Sequence, residues 1–107
     1  KFVYANEADV LNVALFGMTA KEWRESNPEL AKKGNMRDYT DLLHLIILNN
    51  LENTNAELIR MNIKQSDRLI QLNESARNQM EALKNNKNID ELENLQRQVN
   101  EDNKYLN

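Results

Sequence analysis

At 107 residues, with 40% hydrophobic and 29% charged side chains, the chain has the balance of one small globular or helical-bundle domain. That composition excludes a disordered segment, and the length leaves no room for two independent cores. The net charge of −3 is too even to select a nucleic-acid or membrane-surface partner by itself.

Cysteine is absent, which excludes disulfide staples and thiolate metal sites and fits a reducing compartment; a cytoplasmic location is expected. No apolar run approaches the ~20 residues needed to span a bilayer, and no signal-peptide pattern opens the chain, so no membrane partner is expected. The first residue is Lys1 rather than Met, and the chain is expected to be part of a larger protein. Two glycines and one proline are too few breakers for strands and turns, so the expected class is all-α.

The chain divides at Gly34 and Asn35. Residues 1–40 read as a cap of short helices following a domain that lies outside this sequence; residues 41–107 read as a long-helix core and pairing region. Residues 1–4 are an entry segment. From Glu7, the positions Val10, Leu11, Val13, Ala14 and Leu15 recur at helical spacing, with Glu7 and Asp9 in the first turn where the helix dipole favours acids. Gly17 is expected to stop this helix in a left-handed conformation. Thr19 and Glu22 have capping-box spacing and start a second short helix carrying Trp23. Asn27 and Pro28 start a third piece, which Gly34 ends. Phe16, Met18, Trp23 and Leu30 would form the centre of this cap.

A long helix then begins near Asp41. Leu42, Leu43, Leu45, Ile46, Ile47, Leu48 and Leu51 cover all its sides, which predicts burial all round at the centre of the core. The residues Ile63, Lys64, Gln65 and Ser66 read as a break, with Ser66 capping the next helix. That helix carries Leu69, Leu72, Ala76, Met80 and Leu83 at alternating three- and four-residue steps. After a polar interruption from Asn85 to Asn88, with Asn88 and Glu91 repeating the cap-plus-acid spacing, a last helix places Leu92, Leu95, Val99 and Leu106 on one stripe, interrupted by Asp102. From Leu69 onward the stripe is narrow and needs a partner helix, either from the same chain or from another.

Catalytic chemistry has little to work with. His44 is the only histidine and stands between Leu43 and Leu45, the setting of a satisfied core or interface residue rather than of an accessible base. Asp41 and His44 have a metal-compatible spacing, but facing carboxylates and a second histidine are lacking. The acids at Glu22/Glu25 and at Asp90/Glu91/Glu93 read as solvated helix faces. Gly17 and Gly34 are isolated, so no phosphate-cradling loop exists. No enzyme activity, cofactor, metal or small-molecule substrate is expected. Lys21, Trp23, Arg24, Lys32, Lys33 and Arg37 combine cations with an aromatic, as phosphate contact and base stacking require. Glu22, Glu25, Glu29 and Asp38 interleave with them and cancel the field.

The run YANEADVLNVALFGMTAKEWR (residues 4–24), followed by Asn27-Pro28, Gly34-Asn35, Arg37-Asp38-Tyr39, Leu51-Glu52-Asn53, Asn55 and Leu69-Ile70-Gln71-Leu72-Asn73, resembles the region after the DNA-binding domain in KilA-N domain proteins of phages and bacteria. The resemblance covers roughly residues 4–83. It implies that DNA would be contacted by a preceding KilA-N domain, none of whose residues are present here. The region itself is then expected to be a non-catalytic homo-oligomerisation or partner-docking module, with Leu69, Leu72, Ala76, Met80, Leu83, Leu92, Leu95 and Val99 as its association stripe, since dimers let a DNA-binding protein read two half-sites. The alternatives are that the stripe folds back onto the chain's own long helix, or that the cap binds nucleic acid directly.

Overall fold

The computed structural model describes residues 3–84 and 86–104. The expectations placed on Lys1, Asn85 and Leu106 therefore lie outside the described residues. Among the described residues there are six α-helices and one 3-10 turn, and no strand: α1 (Glu7–Phe16), α2 (Ala20–Ser26), α3 (Pro28–Ala31), the 3-10 turn (Met36–Tyr39), α4 (Leu42–Arg60), α5 (Gln65–Leu83) and α6 (Lys87–Lys104). The chain is all-α.

Local capping explains the short elements. Asn6 starts α1 by accepting from the Asp9 amide at 2.8 Å. Gly17, at φ 77°, ends α1 and bonds back to the Val13 carbonyl at 3.0 Å. Thr19 and Glu22 close a reciprocal capping box on α2. Asn35 and Asp38 repeat that box on the 3-10 turn. A methyl group at Gly34 would lie 2.6 Å from the Asp38 carboxylate, so the box requires the bare glycine.

The α4–α5 turn is set by Asn62, in the left-handed region at φ 60°. Its amide bonds to the Ile59 carbonyl and the Ile63 amide reaches the Leu58 carbonyl. This is the six-to-one and five-to-two pattern of a Schellman ending, with Ile63 packed on the core beside Leu58. The break thus falls earlier than expected. Ser66 lies inside the first turn of α5, and Lys64 occupies the cap position without a side-chain cap.

The core is a three-helix layer of α1, α4 and α5. Val10, Leu11 and Ala14 meet Ile47, Leu48, Leu51, Leu58, Leu72 and Ala76, all buried. Because α1 belongs to this core, the change of texture at Gly34 does not separate two packing units. The long helix departs from its expected burial. Ile47, Leu48, Leu51, Asn55 and Leu58, at three- and four-residue steps, are buried. Leu42, Leu43, Leu45 and Ile46 are only half-buried, because α1 and α5 cover one side of α4 and little covers the other.

A row of polar contacts fastens α1 across the α4–α5 hairpin. The Gln65 amide accepts from the Tyr4 backbone N–H at 2.7 Å and donates to its carbonyl at 2.9 Å. Arg68, with only 10% of its side chain exposed, donates to both Glu7 oxygens at 2.9 Å, to Asn55 Oδ1 at 3.0 Å and to the Ile63 carbonyl at 2.8 Å. Asn55 Nδ2 donates in turn to Glu7 at 2.9 Å. One turn and more along α5, Asn73 donates to the Ala14 carbonyl at 2.9 Å. None of these partnerships was foreseen from the sequence.

Arg68→Met keeps the apolar stem and removes the guanidinium. It is expected to lower stability by about 2–3 kcal/mol in urea unfolding, because Asn55 and the Ile63 carbonyl lose their donor inside the fold. The Asn55 hydrogen bond, opposed by burial and aided by Arg68, holds the Glu7 carboxyl below its usual range. A depressed carboxylate stabilises the fold fully above its unfolded pKa, and that contribution is lost as pH falls through the lowered folded value. The stability gap between wild type and Glu7→Gln should therefore stay constant from neutrality to about pH 5 and close in more acid solution.

Candidate association surface

The expected association stripe splits into two unlike halves. On α5, Leu72 and Ala76 are 0% and 4% exposed, and Leu69, Met80 and Leu83 pack against the same core. Leu72 and Ala76 are thus taken up by the chain's own core, and Leu69, Met80 and Leu83 are partly buried against it. On α6, Leu92, Leu95 and Val99 are 49%, 62% and 51% exposed.

The orientation of α6 accounts for the difference. Asn86 caps its start, accepting from the Asn88 and Ile89 amides, so the cap precedes Asn88, where it was expected. Among the described side chains of α6 only Ile89 and Glu93 are half-buried. Glu93 accepts from the Leu43 backbone N–H at 3.3 Å, tying α6 to the open first turn of α4. Glu93, Gln96, Arg97 and Asn100 form one wall of a groove whose other side includes Leu42 and Leu45. At 100° per residue, the Leu92–Leu95–Val99 face points about 100° away from that wall. The helix turns a polar edge to the body and an apolar edge to solvent. Along it, Arg97 donates to Asn94 at 2.7 Å, Gln96 to Asn100 at 3.2 Å and Gln98 to Asp102 at 3.1 Å, each at the three- or four-residue step that supports an exposed helix.

The basic and aromatic residues of the cap are arranged otherwise. Lys21, Arg24, Lys32, Lys33 and Arg37 are exposed, but Lys32 pairs with Glu29 and Arg37 with Glu52. Trp23 is half-buried and stacks on Tyr39 at 5.7 Å between centroids, so one face of the indole is already covered. Leu30, expected at the centre of the cap with Phe16, Met18 and Trp23, is instead 40% exposed.

His44 stacks on Phe16 at 5.7 Å, and its Nδ1 lies 2.7 Å from Asp41 Oδ1; a carboxylate only accepts, which places the ring proton on Nδ1. Burial raises the Asp41 pKa, but hydrogen bonds from the backbone and ring of His44 outweigh it and hold the carboxyl below its usual range. Asp41 thereby caps α4, accepting from the His44 amide at 2.8 Å. The two hydroxyls lining the same groove, Tyr39 and Thr40, donate to the Leu30 and Met36 carbonyls. The imidazole is a capping and stacking group, with no hydroxyl poised against it.

Among the described residues no three His, Cys, Asp or Glu side chains gather as metal ligands, and no helix is long and apolar enough to cross a membrane. The unforeseen element of the surface is Glu93, the residue that anchors α6; nothing in its sequence context distinguishes it from Glu91. No family model matches the chain, and comparison with curated proteins and with solved structures returns no significant match.

Proposed function

We propose that this chain is a non-catalytic self-association module, with α6 as its contact helix, belonging to a DNA-binding protein of the KilA-N type. The observation that carries the reading is the exposed apolar face of Leu92, Leu95 and Val99 on a helix that meets the body through its polar edge. The resemblance over residues 4–83 supplies the setting: DNA is read by a preceding domain, and pairing of the chains brings two such domains onto two half-sites. Direct nucleic-acid binding by the cap has less support, since two of its five cations are ion-paired and its tryptophan is stacked within the chain.

The association is weak by design of the surface. Six half-exposed side chains in a pair of copies, at about 1 kcal/mol each, supply roughly 6 kcal/mol, comparable to the lower range of association costs. Light scattering across a dilution series is expected to show dimers only at the highest concentrations, dissociating in the millimolar range or above, with Leu95→Asp monomeric and folded. Leu72→Asp should instead unfold the chain, because its side chain is fully buried. A wild-type monomer at all concentrations overturns self-association and leaves α6 to a different protein partner.

A further inference from the structure

The groove beside His44 has a chemistry that capping and stacking do not use up. Phe16 at the end of α1, Trp23 of α2, Met36 and Tyr39 of the 3-10 turn, and Asp41 and His44 at the start of α4 line a recess of about 290 Å³. Met36 is buried, Phe16, Trp23 and His44 are half-buried, and Tyr39 and Asp41 are exposed. Four rings therefore share one small space. They stand in two stacked pairs, with centroids 5.7 Å apart and planes 22° and 25° from parallel. Nearly parallel rings at that spacing are offset rather than overlaid, so each pair leaves ring surface uncovered.

The charge of the recess has one sign. No lysine or arginine is among its lining residues. Burial opposes ionisation of Asp41, but the His44 hydrogen bonds outweigh it and keep the carboxyl an anion at neutral pH. Both His44 donors go to Oδ1, at 2.8 and 2.7 Å, which leaves Oδ2 for another partner. With its proton on Nδ1, the imidazole also presents a lone pair at Nε2. The start of α4 contributes about half a positive charge, and the full charge of its capping carboxylate outweighs that. Ring faces, lone pair and carboxylate all attract a cation. A bare ammonium is strongly hydrated and costly to bring against apolar walls, whereas N-methyl groups lower that cost and match the rings.

We propose that this recess binds a methylated ammonium head group, held by the Phe16, Trp23 and Tyr39 rings and balanced by Asp41. The volume suits one such group, and the open side lets the remainder of the ligand extend into solvent. The site does not depend on the proposed self-association.

Trp23 is the only tryptophan, so its single indole N–H resonance reports on the recess directly. Choline is to be titrated into the wild-type chain in mildly alkaline buffer, where imidazole is neutral. A saturable shift of that resonance is expected, with a dissociation constant of about 0.1–10 mM, the range an open site with few contacts supports. The uncharged isostere of choline, with carbon in place of the nitrogen, is expected to bind at least about tenfold more weakly. Asp41→Asn can still cap α4 and is expected to weaken choline by about fivefold to tenfold. A peptide bearing trimethyllysine should match choline if the ligand is a small molecule, and bind at least about tenfold tighter if it is a modified protein tail; either supports the head-group site. No saturable shift by about 100 mM choline overturns the site. Equal binding of the isostere, or unchanged affinity in Asp41→Asn, would make the recess an apolar hollow without preference for cations and overturn the proposal.

Discussion

Arg68 carries a permanent charge into the place where α1, α4 and α5 converge, and the arrangement of the three helices follows from the need to satisfy it. A guanidinium offers five donors in a planar fork and cannot shed its proton, so a buried one requires several acceptors at once. Glu7 provides two oxygens from α1, Asn55 one from α4, and Ile63 a carbonyl from the turn between α4 and α5. Those acceptors come from three elements and meet only when α1 lies across the hairpin in one position. Apolar contact among Val10, Leu51 and Leu72 supplies the greater part of the attraction, but it is non-directional. The charge cluster chooses among the ways those side chains could have been stacked.

The two ends of the chain differ because only one of them shares that core. The entry segment is gripped by Gln65 through both backbone groups of Tyr4. Past Leu83 the chain leaves the three-helix layer, and α6 meets the body through Glu93 and Ile89 beside the half-buried first turns of α4. The outward face of α6 leaves Leu92, Leu95 and Val99 about half exposed. An apolar face left open in this way, on a helix stitched along its length by its own polar pairs, is the physical basis for the proposed interaction role.

The short helices between α1 and α4 owe their form to capping rather than to burial. Neither α2 nor α3 contains a buried residue; α2 is closed by the Thr19 box and by Asn27 donating to the Trp23 carbonyl, while α3 starts without a side-chain cap. Aromatic stacking holds this connection, Trp23 of α2 on Tyr39 of the 3-10 turn, and Phe16 at the end of α1 on His44 in the first turn of α4. The stacking covers one face of the Trp23 indole and one of the His44 ring.

Much of the local structure was legible in the residues. The helical class, the left-handed Gly17, the Thr19 box and the Asp41 start all depend on contacts within four residues, where spacing alone determines the geometry. The Schellman turn at Asn62 was equally local, but asparagine in the left-handed region is an uncommon choice and its many neighbours of the same type hid it. The stripe from Leu69 to Val99 gave α5 and α6 an apolar edge each and could not say which half would be covered within the chain. That depended on the angle at which α5 returns along α4, and on Glu93 reaching the Leu43 amide, contacts between residues tens of positions apart. The sequence by itself determined where helices begin and end and which edges are apolar; the tertiary structure alone decided which of those edges are already covered, because coverage depends on the packing of every other helix.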